Sequence, residues 1–501
     1  MSGDSSMISI AKRVGRGDDI DIPLCVDMDG TLVQTDTLWE TILALLRRRP
    51  LLCFVIPFWV LLGRAGFKSR LASEIALAPE TLPYRRNLME FLEEEHAHGR
   101  KIFLVTAAHH TIARGVGQHV GLFADVIGSD EVTNLKGGNK ASYLCRIFGR
   151  GGFDYIGDSH ADIPVWQAAR RAIVVAPSRS LLRHWLWKSR KPQIFPSDTK
   201  RLRSYIRAIR PHQWVKNVLI FLPMLASHRI NSETLLSSTI AFMAFSLVAS
   251  AGYILNDLMD LPADRVHPRK RLRPFASGAI PIGGGIMLMA GLLLAGFGLA
   301  ALLSPMFIIW VGSYLALTLS YSFWLKRKVL IDVFMLATLY THRILAGAIA
   351  TLIEPSFWLL AFSTSFFLSL AMLKRYSELV DRRSLSEAAP AGRGYLIEDM
   401  ETIVSLGAAS GFVSVLVLAL YVNSENVTTL YRSPELIWLI CPIVLYWLSR
   451  TWVGAGRGKI HDDPVVFAMR DPLSRNLIIA TFCIIALAAT VTIRCMPWAC
   501  R

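Results

Sequence analysis

Nine apolar segments occupy the chain from residue 216 onward, near 216–232, 236–256, 282–303, 306–323, 330–350, 355–373, 402–422, 435–449 and 476–495. Most approach the ~20 residues a helix needs to span a bilayer. Backbone polar groups inside lipid must be paired within their own segment, so the expected fold of this half is an all-α integral membrane bundle of nine helices. With 53% hydrophobic residues among 501, an ordinary soluble domain is excluded for residues 216–501.

The net charge of +16 then reads as membrane topology, with anionic lipid as the partner and no nucleic acid. If the N-terminus is cytoplasmic, the loops after segments two, four, six and eight are cytosolic. They hold eighteen Lys and Arg, whereas the other side holds Arg229, Arg432, Arg494 and Arg501. This bias predicts a multi-pass protein of the cell inner membrane with an extracytoplasmic C-terminus. Homo-oligomerisation is left open. Seven scattered cysteines, without a CxxC pair, indicate neither a disulfide set nor a zinc site. Residues 1–20 lack the apolar core of a secretory signal and read as a flexible tail.

One loop of the membrane half concentrates chemistry. Residues 256–274 read NDLMDLPADRVHPRKRLRP. Asp257, Asp260 and Asp264 are spaced i, i+3, i+7, one face if the stretch is helical. Carboxylates on one face repel one another unless a cation sits among them, and hard oxygen ligands suit Mg²⁺ with a substrate diphosphate. Asn256 would support the site, and Lys270, Arg271 and Arg273 would meet phosphate oxygens. Further polar groups lie at the same face: Tyr321 and Lys326 in YSFWLK, Asp332, Arg343 within a span, Lys374, Arg375 and Glu378, and a cluster at His461, Asp462 and Asp463. An ionisable residue inside a span is a functional candidate by default.

Ahead of residue 195 the chain is a different kind of protein. Ile20–Val26 reads as a buried strand ending in Asp27-Met28-Asp29-Gly30-Thr31. A second strand ends at Thr106, a third at Gly157-Asp158-Ser159 with Asp162 beyond, and Lys140 opens a helix-like stretch between them. The carboxyl ends of parallel strands are where α/β proteins place their sites. DMDGT, Thr106, Lys140 and GDSHAD, in this order, resemble the haloacid dehalogenase-like (HAD) phosphatase superfamily. The resemblance implies a Rossmann-like parallel sheet over 21–195 with a cap at about 36–98. It also implies Asp27 as nucleophile, Asp29 as general acid/base, Thr106 and Lys140 as phosphoryl ligands, and Mg²⁺ held by Asp27, Asp158 and Asp162. Residues 51–62 of the cap are apolar and flanked by Arg47, Arg48, Arg49 and Arg64. Two readings stay open for them: a helix lying in the membrane interface, or buried cap core. Residues 196–215 form a basic linker.

The nine segments, the acidic loop and YSFWLK with Asp332 resemble the UbiA prenyltransferase superfamily. RPHQWVKN (210–217, bringing in Lys216 and Asn217), HPRKRLRP, the Lys374–Arg375 pair and DDPVVFAMRD are more narrowly similar to decaprenyl-phosphate phosphoribosyltransferases. That resemblance implies transfer of 5-phosphoribose from 5-phosphoribosyl diphosphate (PRPP) to a polyprenyl phosphate, with Mg²⁺. The HAD domain would then remove the 5-phosphate, supplying a lipid-linked pentose donor for cell-surface glycans. Two other readings stand beside it. One is a prenyltransferase acting on an aromatic or quinone precursor. The second aspartate cluster usual there is reduced to Asp332, with Leu336 at +4. The other is a transporter or lipid-binding protein with a regulatory HAD domain.

Overall fold

The computed structural model describes residues 20–59, 61, 63–130, 134–177, 180–181, 192–196, 201–385, 394–424, 427, 430–460 and 464–491. The cluster His461–Asp463, most of the tail, Arg393, Arg494 and Arg501 lie outside the described residues. The chain forms two compact units. One joins residues up to Ala208 with Ile254–Met287; the other joins Ile209–Tyr253 with the rest from Leu288.

The first unit is built on six parallel strands: β1 (Leu24–Val26), β2 (Ile102–His109), β3 (Asp125–Ser129), β4 (Asp154–Gly157), β5 (Arg171–Val175) and β6 (Gln193–Phe195). Their order is β3-β2-β1-β4-β5-β6. Alternation explains why both faces are covered. Leu24 and Val26 enter one buried cluster with Ile102, Leu104 and Ile156, while Cys25 enters the opposite one with Val105, Tyr155 and Val174. The strand order reverses direction between β1 and β4, and ligands of such sheets bind outside the carboxyl ends at that switch point. Asp27 follows β1 there and Asp158 follows β4. At the opposite end, Asp154 is wholly buried and tied to Arg100 at 2.5 Å and Arg170 at 2.6 Å, which fixes the sheet away from the site.

Helices α1 (Thr37–Arg48), α2 (Ile56–Trp59), α3 (Gly63–Glu74) and α4 (Arg86–Ala97) lie between β1 and β2; α5 (His110–Val120), α6 (Gly138–Phe148) and α7 (Ile163–Ala168) connect the later strands. Asp36 caps α1 by accepting the Leu38 N–H at 2.9 Å. The apolar stretch after α1 turns one side outward, with Leu51, Phe54, Phe58 and Leu61 68–83% exposed, while Leu52, Ile56 and Trp59 pack against the buried cluster of Leu45, Leu71 and Ile75.

The second unit is helical, as expected, but the expected count of nine is corrected. Among the described residues eight helices are long and apolar enough to cross a membrane: Ser232–Met259, Ile282–Ala301, Pro305–Phe323, Ile331–Thr351, Phe357–Arg383, Ile397–Val422, Pro434–Gly456 and Pro472–Thr490. The ninth segment, near 216–232, is instead a 3-10 stretch, Pro211–Phe221, followed by the short helix Leu222–Ala226. Pro211 and Pro223 each remove an N–H, and neither can continue a longer α-helix from behind.

Candidate functional sites

The residues of the DMDGT and GDSHAD motifs converge. Oxygens of Asp27, Asp158 and Asp162 lie within 4.8 Å of one another, the one such carboxylate group among the described residues. Lys140, buried in the first turns of α6, donates to Asp27 Oδ1 at 2.9 Å and lies 3.9 Å from Asp162 Oδ1. Tyr155, on β4, ties the set together: its hydroxyl donates to Asp162 Oδ1 at 2.8 Å and receives Lys140 at 2.8 Å. Asp162 Oδ2 in turn accepts from the Ser159 N–H and hydroxyl at 3.1 and 2.9 Å. Gly30 (φ +77) leaves room for this set; a Cβ there would stand 2.4 Å from Asp158 Oδ2.

Charge is the dominant feature of this cleft. Burial pushes the Asp27 carboxyl up to about 6, against Lys140 and with Asp162 adding to the rise. Asp158 is raised to about 8 by burial and by Asp27 and Asp162. Asp29 rises to about 7 through burial and Asp36, although its Oδ1 accepts the Thr37 N–H at 2.8 Å. For Lys140, burial pulls downward but Asp27 and Asp162 outweigh it, so the ammonium is held. Carboxylates that resist ionisation together want a further cation among them, and all-oxygen donors fit Mg²⁺. Thr106 is buried on β2, its hydroxyl accepting the Ala108 N–H at 3.0 Å.

The acidic loop is organised differently from a single helical face. The long helix ends at Met259 and a new one, Leu261–Val266, begins after Asp260, with Pro262 in its first turn. Asp260 consequently turns to Asn256, whose side-chain amide donates to it at 3.1 Å. Asp257 and Asp264, both buried, converge on Arg273, whose Nη1 reaches them at 3.1 and 2.6 Å. Burial raises the Asp264 carboxyl while Arg273 opposes the rise. Lys270 and Arg271 are exposed in the turn between. Two of the three expected aspartates thus share one cation, and the third stands with Asn256.

Within the second unit the remaining candidates form two clusters. Arg343 donates to Asn217 Oδ1 at 2.8 Å, to the Tyr314 hydroxyl at 2.9 Å and to the Leu339 carbonyl. Asn217 donates onward to Ser246 at 2.9 Å, and the Lys216 ammonium lies over the Tyr340 ring at 5.8 Å. The other cluster centres on Asp332, fully buried. One of its oxygens accepts from Arg375 and the other from the Tyr395 hydroxyl. Arg375 also donates to Glu378 at 2.8 Å and to Tyr321 at 2.9 Å. Asp332, Arg375 and Tyr321 therefore face one another in this structure. Lys326 and Lys374 are half-buried. Sequence reasoning missed Tyr155 and Tyr314, because a tyrosine in an apolar run reads as packing, and Tyr395, which stands between Gly394 and Leu396 with no motif around it.

Two family models match the chain. Residues 218–468 match the UbiA prenyltransferase family, and residues 24–167 match haloacid dehalogenase-like hydrolase. An uncharacterized protein, y4nM, of Sinorhizobium fredii is 38% identical over 459 residues, covering 90% of this chain and 88% of that one. A decaprenyl-phosphate phosphoribosyltransferase of Corynebacterium glutamicum is 38% identical over 180 residues, 35% of this chain and 54% of that one. The solved structure of a UbiA homolog from Archaeoglobus fulgidus bound to GPP and Mg²⁺ has a TM-score of 0.45 at 15% identity, covering 56% of this chain and 99% of that one.

Proposed function

Since the chain belongs to the UbiA prenyltransferase family and carries a haloacid dehalogenase-like hydrolase domain, we propose that it is a two-step enzyme acting on a lipid phosphate. In the first step a phosphate oxygen of a polyprenyl phosphate attacks C1 of PRPP. The bond from C1 to the diphosphate oxygen breaks, and the diphosphate departs with its electron pair. In the second step Asp27 attacks the 5-phosphorus of the product, the ribose 5-oxygen leaves with a proton from Asp29, and water releases phosphate from Asp27.

The observation that carries the reading is the convergence of Asp257 and Asp264 on one positive group, Arg273. Two buried carboxylates arranged to share a cation are what a Mg²⁺–diphosphate site needs. Asp257 and Asp264 would hold the ion, with Asp260 and Asn256 beside them, and Arg273, Lys270 and Arg271 would meet phosphate oxygens. When bound, the ion neutralises charge on the leaving diphosphate. Lys216, Asn217, Arg343, Lys326 and Lys374 remain the candidates for the other phosphate groups. In the cleft of the first unit, Asp27, Asp158 and Asp162 would hold the second Mg²⁺, and Lys140 and Thr106 would orient the phosphoryl group. The relative named decaprenyl-phosphate phosphoribosyltransferase supports this choice of substrates. The aromatic-acceptor alternative wants a second aspartate cluster, and Asp332 is followed at +4 by Leu336.

The test is which labelled substrate enters lipid. Purified protein given polyprenyl phosphate, Mg²⁺ and ribose-labelled PRPP is expected to form labelled lipid. Incorporation of a labelled aromatic acid from polyprenyl diphosphate, with none from PRPP, overturns the proposal.

A further inference from the structure

The first unit contains a buried ion pair that neither reaction uses. Glu40 lies in α1 and Arg265 in the helix Leu261–Val266, with 6% and 7% of their side chains exposed. Arg265 Nη2 donates to Glu40 Oε1 at 2.6 Å and Nη1 to Oε2 at 3.2 Å. Such a fork fixes direction as well as distance. The other donors are also engaged: Nε with the Ala276 carbonyl at 3.2 Å, Nη1 with the Thr81 carbonyl at 3.3 Å. Thr35 adds a hydroxyl to Glu40 Oε1 at 2.8 Å. Surface ion pairs hold little, but a pair taken out of water and fully hydrogen-bonded holds its two elements in one geometry. The backbones approach closely nearby. A Cβ on Gly278 (φ +72) would sit 2.5 Å from Gln34 Cβ and 2.7 Å from the Gln34 carbonyl oxygen.

Each end of this pair leads directly to a reactive carboxylate. Thr37, the first residue of α1, donates its N–H to Asp29 Oδ1 at 2.8 Å, and Glu40 is one turn further along the same helix. Asp264 immediately precedes Arg265, and its carboxylate is held by Arg273 at 2.6 Å. One short, rigid path of helix, ion pair and helix therefore runs from the phosphatase acid to the diphosphate loop.

We propose that Glu40 and Arg265 are positioning residues that couple the two activities: the pair sets Asp264 for the diphosphate and, through α1, sets Asp29 for proton transfer. The loop 254–287 is then a working part of the phosphatase cap, and neither reaction is at full rate without the other's segment in place. The loop's role rests on the transferase reading above; the phosphatase half does not.

The test uses the full chain, reconstituted in vesicles, with two assays. One is lipid product from polyprenyl phosphate, PRPP and Mg²⁺; the other is hydrolysis of p-nitrophenyl phosphate. The variants are Glu40→Gln, Arg265→Met and the two together. Each single variant is expected to lower both rates by about tenfold to a hundredfold, the usual effect of displacing a reacting group by an ångström. Glu40→Gln, which touches no ion or substrate, should also raise the Mg²⁺ concentration for half-maximal transfer. The double variant leaves no charge buried alone, so its melting temperature should return towards wild type. Its two rates should stay low, which a merely structural role would not produce. Hydrogen exchange in 261–280 should rise in all three. A double variant with wild-type stability and both wild-type rates overturns the proposal, as does Glu40→Gln with unchanged transfer and unchanged Mg²⁺ dependence. If wild type makes no phosphoribosyl lipid, the transferase reading fails. The coupling is then decided by Arg265→Met, whose loss of p-nitrophenyl phosphate hydrolysis supports it and whose full activity overturns it.

Discussion

Tyr155 shows how a single side chain can organise a site. Its hydroxyl bridges Lys140 and Asp162, so it fixes both the cation beside Asp27 and a ligand of the proposed ion. Supporting groups of this kind typically change activity by 10–100-fold when removed. Tyr155→Phe is therefore expected to fold normally and to lower phosphomonoester hydrolysis by about 10–100-fold, with a raised Mg²⁺ requirement; unchanged steady-state kinetics would count against the bridge. The carboxylates at the strand ends were legible in the sequence, and the resemblance of DMDGT, Thr106, Lys140 and GDSHAD to the HAD superfamily added Lys140. Tyr155 was not, since an aromatic residue in a buried strand is ordinary core. The acidic loop was legible in its residue types but not in its geometry. Pro262 opens a second short helix, so Asp257 and Asp264 stand on different helices and meet only through Arg273, nine residues beyond Asp264.

The 51–62 stretch was open between cap core and membrane-surface helix in the sequence, because both are apolar and short. The structure puts Leu52, Ile56 and Trp59 against the cap cluster of Leu45, Leu71 and Ile75 and turns Leu51, Phe54, Phe58 and Leu61 outward, next to the arginines at 47–49. Exposed large apolar side chains rimmed by cations fit a bilayer interface. A fluorophore on Phe58→Cys in reconstituted vesicles should be quenched by brominated acyl chains; a probe quenched only from water would refute the contact. The segment 211–226 makes the opposite case, apolar enough to be read as a span but not built as a membrane-length α-helix. At about 2.0 Å per residue in the 3-10 stretch and 1.5 Å in the helix, it still reaches about 30 Å, the thickness of the hydrocarbon core. The pair of Arg265 with Glu40 sets the loop after the first long span on the phosphatase's side. On the topology expected from the loop charges, the chain between Ala208 and Ser232 is then expected to cross too. Ser227→Cys should accordingly react with a membrane-impermeant maleimide from outside intact cells, and protection there with labelling only after lysis would contradict this path.

At the scale of the molecule, the two parts of the chain were legible separately: a parallel sheet from strand-ending carboxylates, a helical membrane bundle from apolar runs. Their interdigitation was not. The segment 254–287, from the end of the first long span to the start of the next, packs with the N-terminal unit, through contacts such as Glu40 to Arg265 that are 225 positions apart and carry no periodic signal. That arrangement suits an account in which the lipid-linked product of one reaction is the substrate of the next, since a tethered second site meets its substrate at high local concentration. The central claim is this sequence of steps, and mass spectrometry of the lipid formed from polyprenyl phosphate, PRPP and Mg²⁺ tests it most directly. Wild type should yield the lipid-linked ribose without its 5-phosphate, and Asp27→Asn should accumulate the 5-phosphate form at a nearly unchanged rate of transfer; identical products from the two proteins would contradict the account.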